Sequence, residues 1–235
     1  MCGRFSLAID EKRLREHLLE KFDPLIIKSL PEVPRYNIAP GQEVLTVLSD
    51  GNSYRAGVLK WGFVPPFAKS PSDGYKMINA RSETVASSNA FRPSFLTKRC
   101  VIIADGFYEW DQLGKTKQPH RFTSKSSAIV GFAGLWTSYL QEDGSTLYTT
   151  TILTTSANGM VGHYHERMPV ILDDVSMKRW LNPNEQDLSA LQSLLQPYAE
   201  ENMIDLEVSS FVNSPKNDRI ECIQPNNQQP TGGFL

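Results

Sequence analysis

The sequence predicts an α+β fold: one domain over residues 1–235, built around a curved, mainly antiparallel β-sheet or barrel with a few peripheral helices. Three observations lead there. Most apolar residues fall in short runs of strand length rather than at helical spacing. Asp-Gly pairs at 50–51 and 143–144 supply turns of the kind hairpins use. The fifteen prolines and fifteen glycines are scattered, so no linker marks a cut between domains.

Taken in chain order, residues 10–22 (DEKRLREHLLEKF) set Leu14, Leu18 and Phe22 four apart behind a capping Asp10, which predicts an amphipathic helix. RYNIAPGQ (35–42) reads as a loop turning at Pro40-Gly41. Strands follow at 43–48 and 55–61. WGFVPPF (61–67) reads as a proline-stiffened loop, because a double proline cannot continue a central strand. MINARSET (77–84) leads Asn79 and Arg81 into a short helix. A buried strand at 99–110 breaks at Asp105-Gly106, and further strands are expected at 119–123, 128–136, 147–154 and 168–172. Before the last of these, His163 and His165 alternate on an extended segment, point to opposite sides and make a poor metal pair. Helices are expected at 173–181, opened by Asp173 and Asp174, and at 186–196, where Leu188, Leu191 and Leu195 share a face before Pro197.

Composition excludes several classes. No stretch approaches the roughly 18 apolar residues of a membrane span. The early apolar runs are interrupted by Arg4, Asp10, Lys12, Arg13 and Arg15, unlike a secretion signal. Cys2, Cys100 and Cys222 fit neither a disulfide framework nor paired zinc spacing. A soluble, cytoplasmic protein without membrane contact, metal or cofactor is expected. A formal net charge of −2 argues against a general nucleic-acid binder. The charge is uneven, however: residues 60–100 carry seven basic and two acidic side chains, whereas residues 184–207 carry six acidic ones and no Lys or Arg. A face that draws anions fits this pattern, and so do two solvated surfaces with chance asymmetry.

A few residues carry chemical options. Cys2 stands directly behind Met1; if Met1 is removed, one residue bears a free amine and a thiol on adjacent carbons. Glu109, between Tyr108 and Trp110, is either a carboxyl whose pKa is raised by desolvation, as a general acid near neutral pH requires, or a salt-bridged strand end. Asn79 can orient a ligand and Arg81 can grip a phosphate, although most Asn-x-Arg pairs do neither. Trp61, Phe63 and Phe67 form either a satellite core cluster or a platform for unpaired bases. His165 is either structural or a proton carrier facing a cleft.

MCGRF, RYNIAPGQ, WGFVPPF, MINARSET, ADGFYEW, HYHERMPVIL and ECIQP, in that order from residue 2 to about 225, jointly resemble the SOS response-associated peptidase (SRAP) family. The resemblance implies an SRAP-like fold and a monomer, nucleoid-associated in a bacterial cell, whose partner is single-stranded DNA containing abasic sites. It implies that Cys2, after loss of Met1, condenses through its amine with the abasic aldehyde in a lyase-like Schiff-base step. The thiol then closes a thiazolidine that shields the site. It assigns proton shuttling to Glu109, sugar-ring opening and cross-link reversal to His165, and a hydrogen bond to the sugar or to the Cys2 terminus to Asn79. Arg4 and Arg81 resemble phosphate clamps, Trp61, Phe63 and Phe67 base-stacking groups, and Asn37 and Thr154 further DNA-site residues. The family name adds an autopeptidase releasing whatever precedes Cys2. Beside covalent capture stand two alternatives from other classes: a thiol peptidase, and a non-catalytic single-strand binder in which Cys2 is incidental.

Overall fold

The computed structural model describes residues 2–111 and 117–226, and its architecture is α+β. Its strands are β1 (Phe5–Leu7), β2 (Leu25–Ile27), β3 (Arg35–Ile38), β4 (Glu43–Ser49), β5 (Tyr54–Trp61), β6 (Asn79–Arg81), β7 (Arg99–Ala104), β8 (Gly106–Asp111), β9 (Gln118–Ser124), β10 (Val130–Leu140), β11 (Thr146–Ser156), β12 (Arg167–Pro169), β13 (Ile171–Leu172) and β14 (Met203–Glu207). Between them lie helices α1 (Glu11–Lys21), α2 (Arg92–Thr97), α3 (Gly159–Gly162), α4 (Asp174–Leu181) and α5 (Leu188–Ser193).

Strands β11, β10, β7, β4 and β5 are hydrogen-bonded in that order, and β5 returns to β11 in parallel, with Lys60 opposite Thr149 and Trp61 opposite Thr150. These pairings close a five-stranded barrel. Strand β7 (RCVIIA) lies in the middle of this order, and every one of its residues is buried, so both of its faces are covered. The β4–β5 and β10–β11 hairpins turn at Gly51 (φ 93°) and Gly144 (φ 82°), a left-handed backbone that glycine adopts without cost.

A second, antiparallel sheet runs β14-β9-β8-β1-β3 across the barrel. Aromatic side chains fill the space between: Phe5 lies 5.2 Å from Trp61 and 5.8 Å from Phe132, and Phe107 lies 6.3 Å from Phe132. Asp105 marks the corner where the chain passes from barrel to sheet. Its carboxylate accepts from Ser6 Oγ (2.6 Å), the Ala8 amide (2.7 Å) and Arg121 Nη2 (2.8 Å), which ties β1 and β9 to the start of β8. Helix α1 is capped by Asp10, which accepts from the Arg13 amide at 3.0 Å, and buries Leu14 and Leu18 at about 2 kcal/mol each.

Three local expectations are corrected. Arg35–Ile38 is not loop but strand β3, held by β1, with the turn beginning only at Pro40-Gly41. Asn79–Arg81 does not enter a helix; it forms β6, paired in parallel with Ile152–Thr154 of β11. His163 and His165 do not sit on an extended segment, because α3 ends in a turn where the Tyr164 and His165 amides both donate to the Val161 carbonyl.

Candidate active site

The β1–β8 ladder sets Phe5 opposite Phe107, and the Tyr108 amide donates to the Arg4 carbonyl at 3.0 Å, so residues 2–4 run alongside the far half of β8 and reach Glu109. From the other side, Asn79 on β6 donates its Nδ2 to the Cys2 carbonyl at 2.9 Å. The two sheets therefore meet at Cys2. Its side chain is fully buried, and burial, with the Glu109 charge acting the same way, pushes the thiol far above its ordinary range. The sulfur is thus a neutral thiol that needs a base before it can attack. Glu109 is 5% exposed, and burial pushes its carboxyl up to about 7. Such a group both gives and takes a proton at neutral pH, as a general acid-base must.

His165 lies in the turn after α3, next to Tyr164, whose ring packs 4.3 Å from that of His120, the cross-strand partner of Glu109. His165 Nδ1 accepts from the Arg167 amide at 2.9 Å, and a backbone N–H can only donate. The ring proton therefore resides on Nε2. Partial burial lowers the pKa and favours this neutral form. Arg167 was not singled out in the sequence, yet it fixes this corner through a bidentate pair with Glu83 (2.6 and 2.9 Å) and a bond to the Thr154 carbonyl at 2.6 Å. Only its place in HYHERMPVIL, two residues beyond His165, could have drawn attention to it.

The other expected site residues divide by exposure. Arg81 is exposed at the end of β6 and Phe67 is 67% exposed, so both can meet a ligand. Arg4 is already engaged: Nη1 donates to Asn37 Oδ1 (2.7 Å) and the Val212 carbonyl (2.9 Å), and the guanidinium lies 5.6 Å from the Trp110 ring centroid. Asn37, expected as a DNA-site residue, is held within the fold. It is fully buried, and its amide nitrogen serves the carbonyls of Asn217, Ser214 and Val212. Thr154 is likewise fully buried beneath Arg167. Trp61 and Phe63 belong to the core, both at 0% exposure. Trp61 Nε1 donates to the Ile78 carbonyl (2.8 Å) and Phe63 packs 5.1 Å from Phe91, which leaves no ring face for a base. Met1 lies outside the described residues. Among those residues no cluster of His, Cys, Asp and Glu has metal-binding geometry, and no helix is long and apolar enough to cross a membrane.

Residues 1–215 match the family model described as SOS response associated peptidase (SRAP). The chain is 48% identical over 228 residues to abasic site processing protein YoqW of Bacillus subtilis, covering 95% of this chain and 99% of that one. It is 32% identical over 263 residues to abasic site processing protein HMCES of Gallus gallus, covering 96% and 78% respectively. A crystal structure of a protein from Bacteroides thetaiotaomicron shares the fold at a TM-score of 0.82, with 24% identity and coverage of 95% and 99%.

Proposed function

Because the chain belongs to the SOS response-associated peptidase family, we propose that it processes abasic sites in single-stranded DNA by covalent capture at Cys2. The observation that carries this reading is the juxtaposition of the Cys2 backbone, held by Asn79 at 2.9 Å, with the neutral thiol and a carboxyl poised at about 7.

The steps follow from these groups. Removal of whatever precedes Cys2 frees an α-amine with a pKa of roughly 7.7–8.0, partly neutral at pH 7. His165, a neutral Nε2–H donor, polarises the sugar ring oxygen as the hemiacetal opens to the aldehyde. The Cys2 amine adds to the aldehyde carbon. Protonated Glu109 gives its proton to the departing hydroxyl of the carbinolamine, which leaves as water, and a protonated imine remains. The resulting Glu109 carboxylate takes the thiol proton while sulfur bonds to the iminium carbon and the C=N π electrons pass to the nitrogen, which keeps its proton, closing the thiazolidine. The carboxylate also answers why a thiol of such high pKa can react: its base lies beside it. The same thiol and carboxyl supply a nucleophile and proton carrier for autopeptidase release of the residue before Cys2.

Arg81 grips a phosphate and Phe67 stacks on a base of the flanking strand. The test is incubation with an abasic oligonucleotide followed by denaturing electrophoresis and intact mass. A denaturation-resistant adduct that disappears in Cys2→Ala is expected. An equally durable adduct in Cys2→Ser would instead favour a binder in which the thiol is incidental.

A further inference from the structure

Three side chains outside the reacting groups converge beside Glu109. The Tyr164 hydroxyl donates to Asp205 Oδ2 at 2.7 Å, His120 Nδ1 lies 2.8 Å from Asp205 Oδ1, and the Tyr164 and His120 rings lie 4.3 Å apart. A carboxylate only accepts, so both partners donate to it. They come from separate places in the chain: Tyr164 from the turn carrying His165, His120 from β9 and Asp205 from β14. Strands β9 and β14 are paired neighbours, so Asp205 and His120 rest on a rigid base. In the turn, His163 and Glu166 are exposed, which leaves Tyr164 to reach the sheet; it also packs 5.5 Å from Phe122. His120 is the residue directly opposite Glu109 in the β8–β9 ladder, and opposed residues share a face with Cβ atoms about 5 Å apart. Tyr164 is therefore anchored on the cross-strand partner of one reacting group while its chain neighbour is the other.

We propose that Tyr164, Asp205 and His120 are positioning residues: they brace the His165 turn against the strand pair bearing Glu109, and the covalent step depends on this brace while strand binding does not. The proposal rests on the covalent-capture reading. Burial, reinforced by Asp205, pushes the Tyr164 phenol up and keeps it a donor. A loosened brace lets His165 drift, and displacements of about 1 Å at reacting groups cost up to roughly a hundredfold in rate.

Single-turnover cross-linking to an abasic oligonucleotide tests it, with anisotropy on an undamaged single strand reading affinity. Tyr164→Phe removes one oxygen, and His120→Leu removes the donor. Each is expected to slow cross-linking about tenfold, with affinity unchanged within about twofold. His120→Asn, whose amide nitrogen stands where Nδ1 stood, is expected to recover most of the rate. Nitrogen-15 spectra of His165 give a readout free of DNA: an unprotonated Nδ1 in the wild type and averaged ring nitrogens in Tyr164→Phe. Wild-type rates together with an unchanged His165 signal would overturn the brace. So would affinity falling in step with rate, which places these residues in strand binding. If the wild type forms no adduct, covalent capture fails by itself, and the brace then stands or falls on the His165 signal.

Discussion

Glu109 ties reaction to stability through one proton. A carboxyl ordinarily titrates at about 4.3, and raising it to about 7 by burial corresponds to about 4 kcal/mol between its two forms. Between those values the folded chain binds the proton that the unfolded chain has lost. Stability from this group is therefore complete below pH 4, declines as pH rises through 4–7, and levels off above 7. Glu109→Gln keeps the shape and removes the charge. It is expected to be more stable than the wild type at pH 8, to lose the advantage at pH 4, and to cross-link slowly at every pH. Urea denaturation across that range, beside adduct yield, checks all three. A wild-type curve that does not fall relative to that of Glu109→Gln between pH 4 and 7 would remove the burial argument. The aromatic neighbours Tyr108 and Trp110 made this residue legible in the sequence. Asp205, His120 and Tyr164 were not legible, since their meeting depends on strand register and on a turn that no local pattern encodes.

Short elements show where sequence reading stopped. The two hairpins were legible because Asp-Gly turns are local signals, and α1 was legible because its cap and leucine spacing are too. Strand β6 was not: three residues become a strand only because β11, some seventy positions later, offers a parallel edge. WGFVPPF was correctly set apart as a segment that ends a strand, but its aromatics divide between core and solvent. This division predicts opposite phenotypes within five residues. Phe63→Ala leaves a cavity against Phe91 and is expected to cost about 3–5 kcal/mol in denaturant titration. Phe67→Ala is expected to leave stability within about 0.5 kcal/mol and to weaken single-strand binding by about 1–3 kcal/mol. A Phe67→Ala protein with wild-type DNA affinity would take that ring out of the binding face.

At the scale of the molecule, Cys2 and Glu109 come from one sheet and Asn79, Arg81 and Arg167 from the other, so the centre exists only where the sheets are joined. The same packing sorts the basic residues that the sequence grouped between 60 and 100. Arg99 is spent inside the protein, donating to the carbonyls of Trp180, Phe95, Leu96, Asn182 and Glu185, and has nothing to offer a phosphate. Lys98 lies 5.1 Å from the Trp136 ring. Arg81 is exposed two residues beyond Asn79 on β6, on the same side of the strand. A phosphate contact made there releases a counterion, so Arg81→Ala is expected to flatten the logarithmic salt dependence of single-strand binding by about one unit. Arg4→Ala is expected to act differently. It strips Asn37 and the Val212 carbonyl of a buried donor, so its first effect is a loss of stability of about 1–3 kcal/mol, whatever it does to the slope. Binding isotherms at several salt concentrations, paired with denaturation of the same two proteins, separate the roles. A slope unchanged in Arg81→Ala would mean that this guanidinium makes no phosphate contact, and it would remove Arg81 from the binding face.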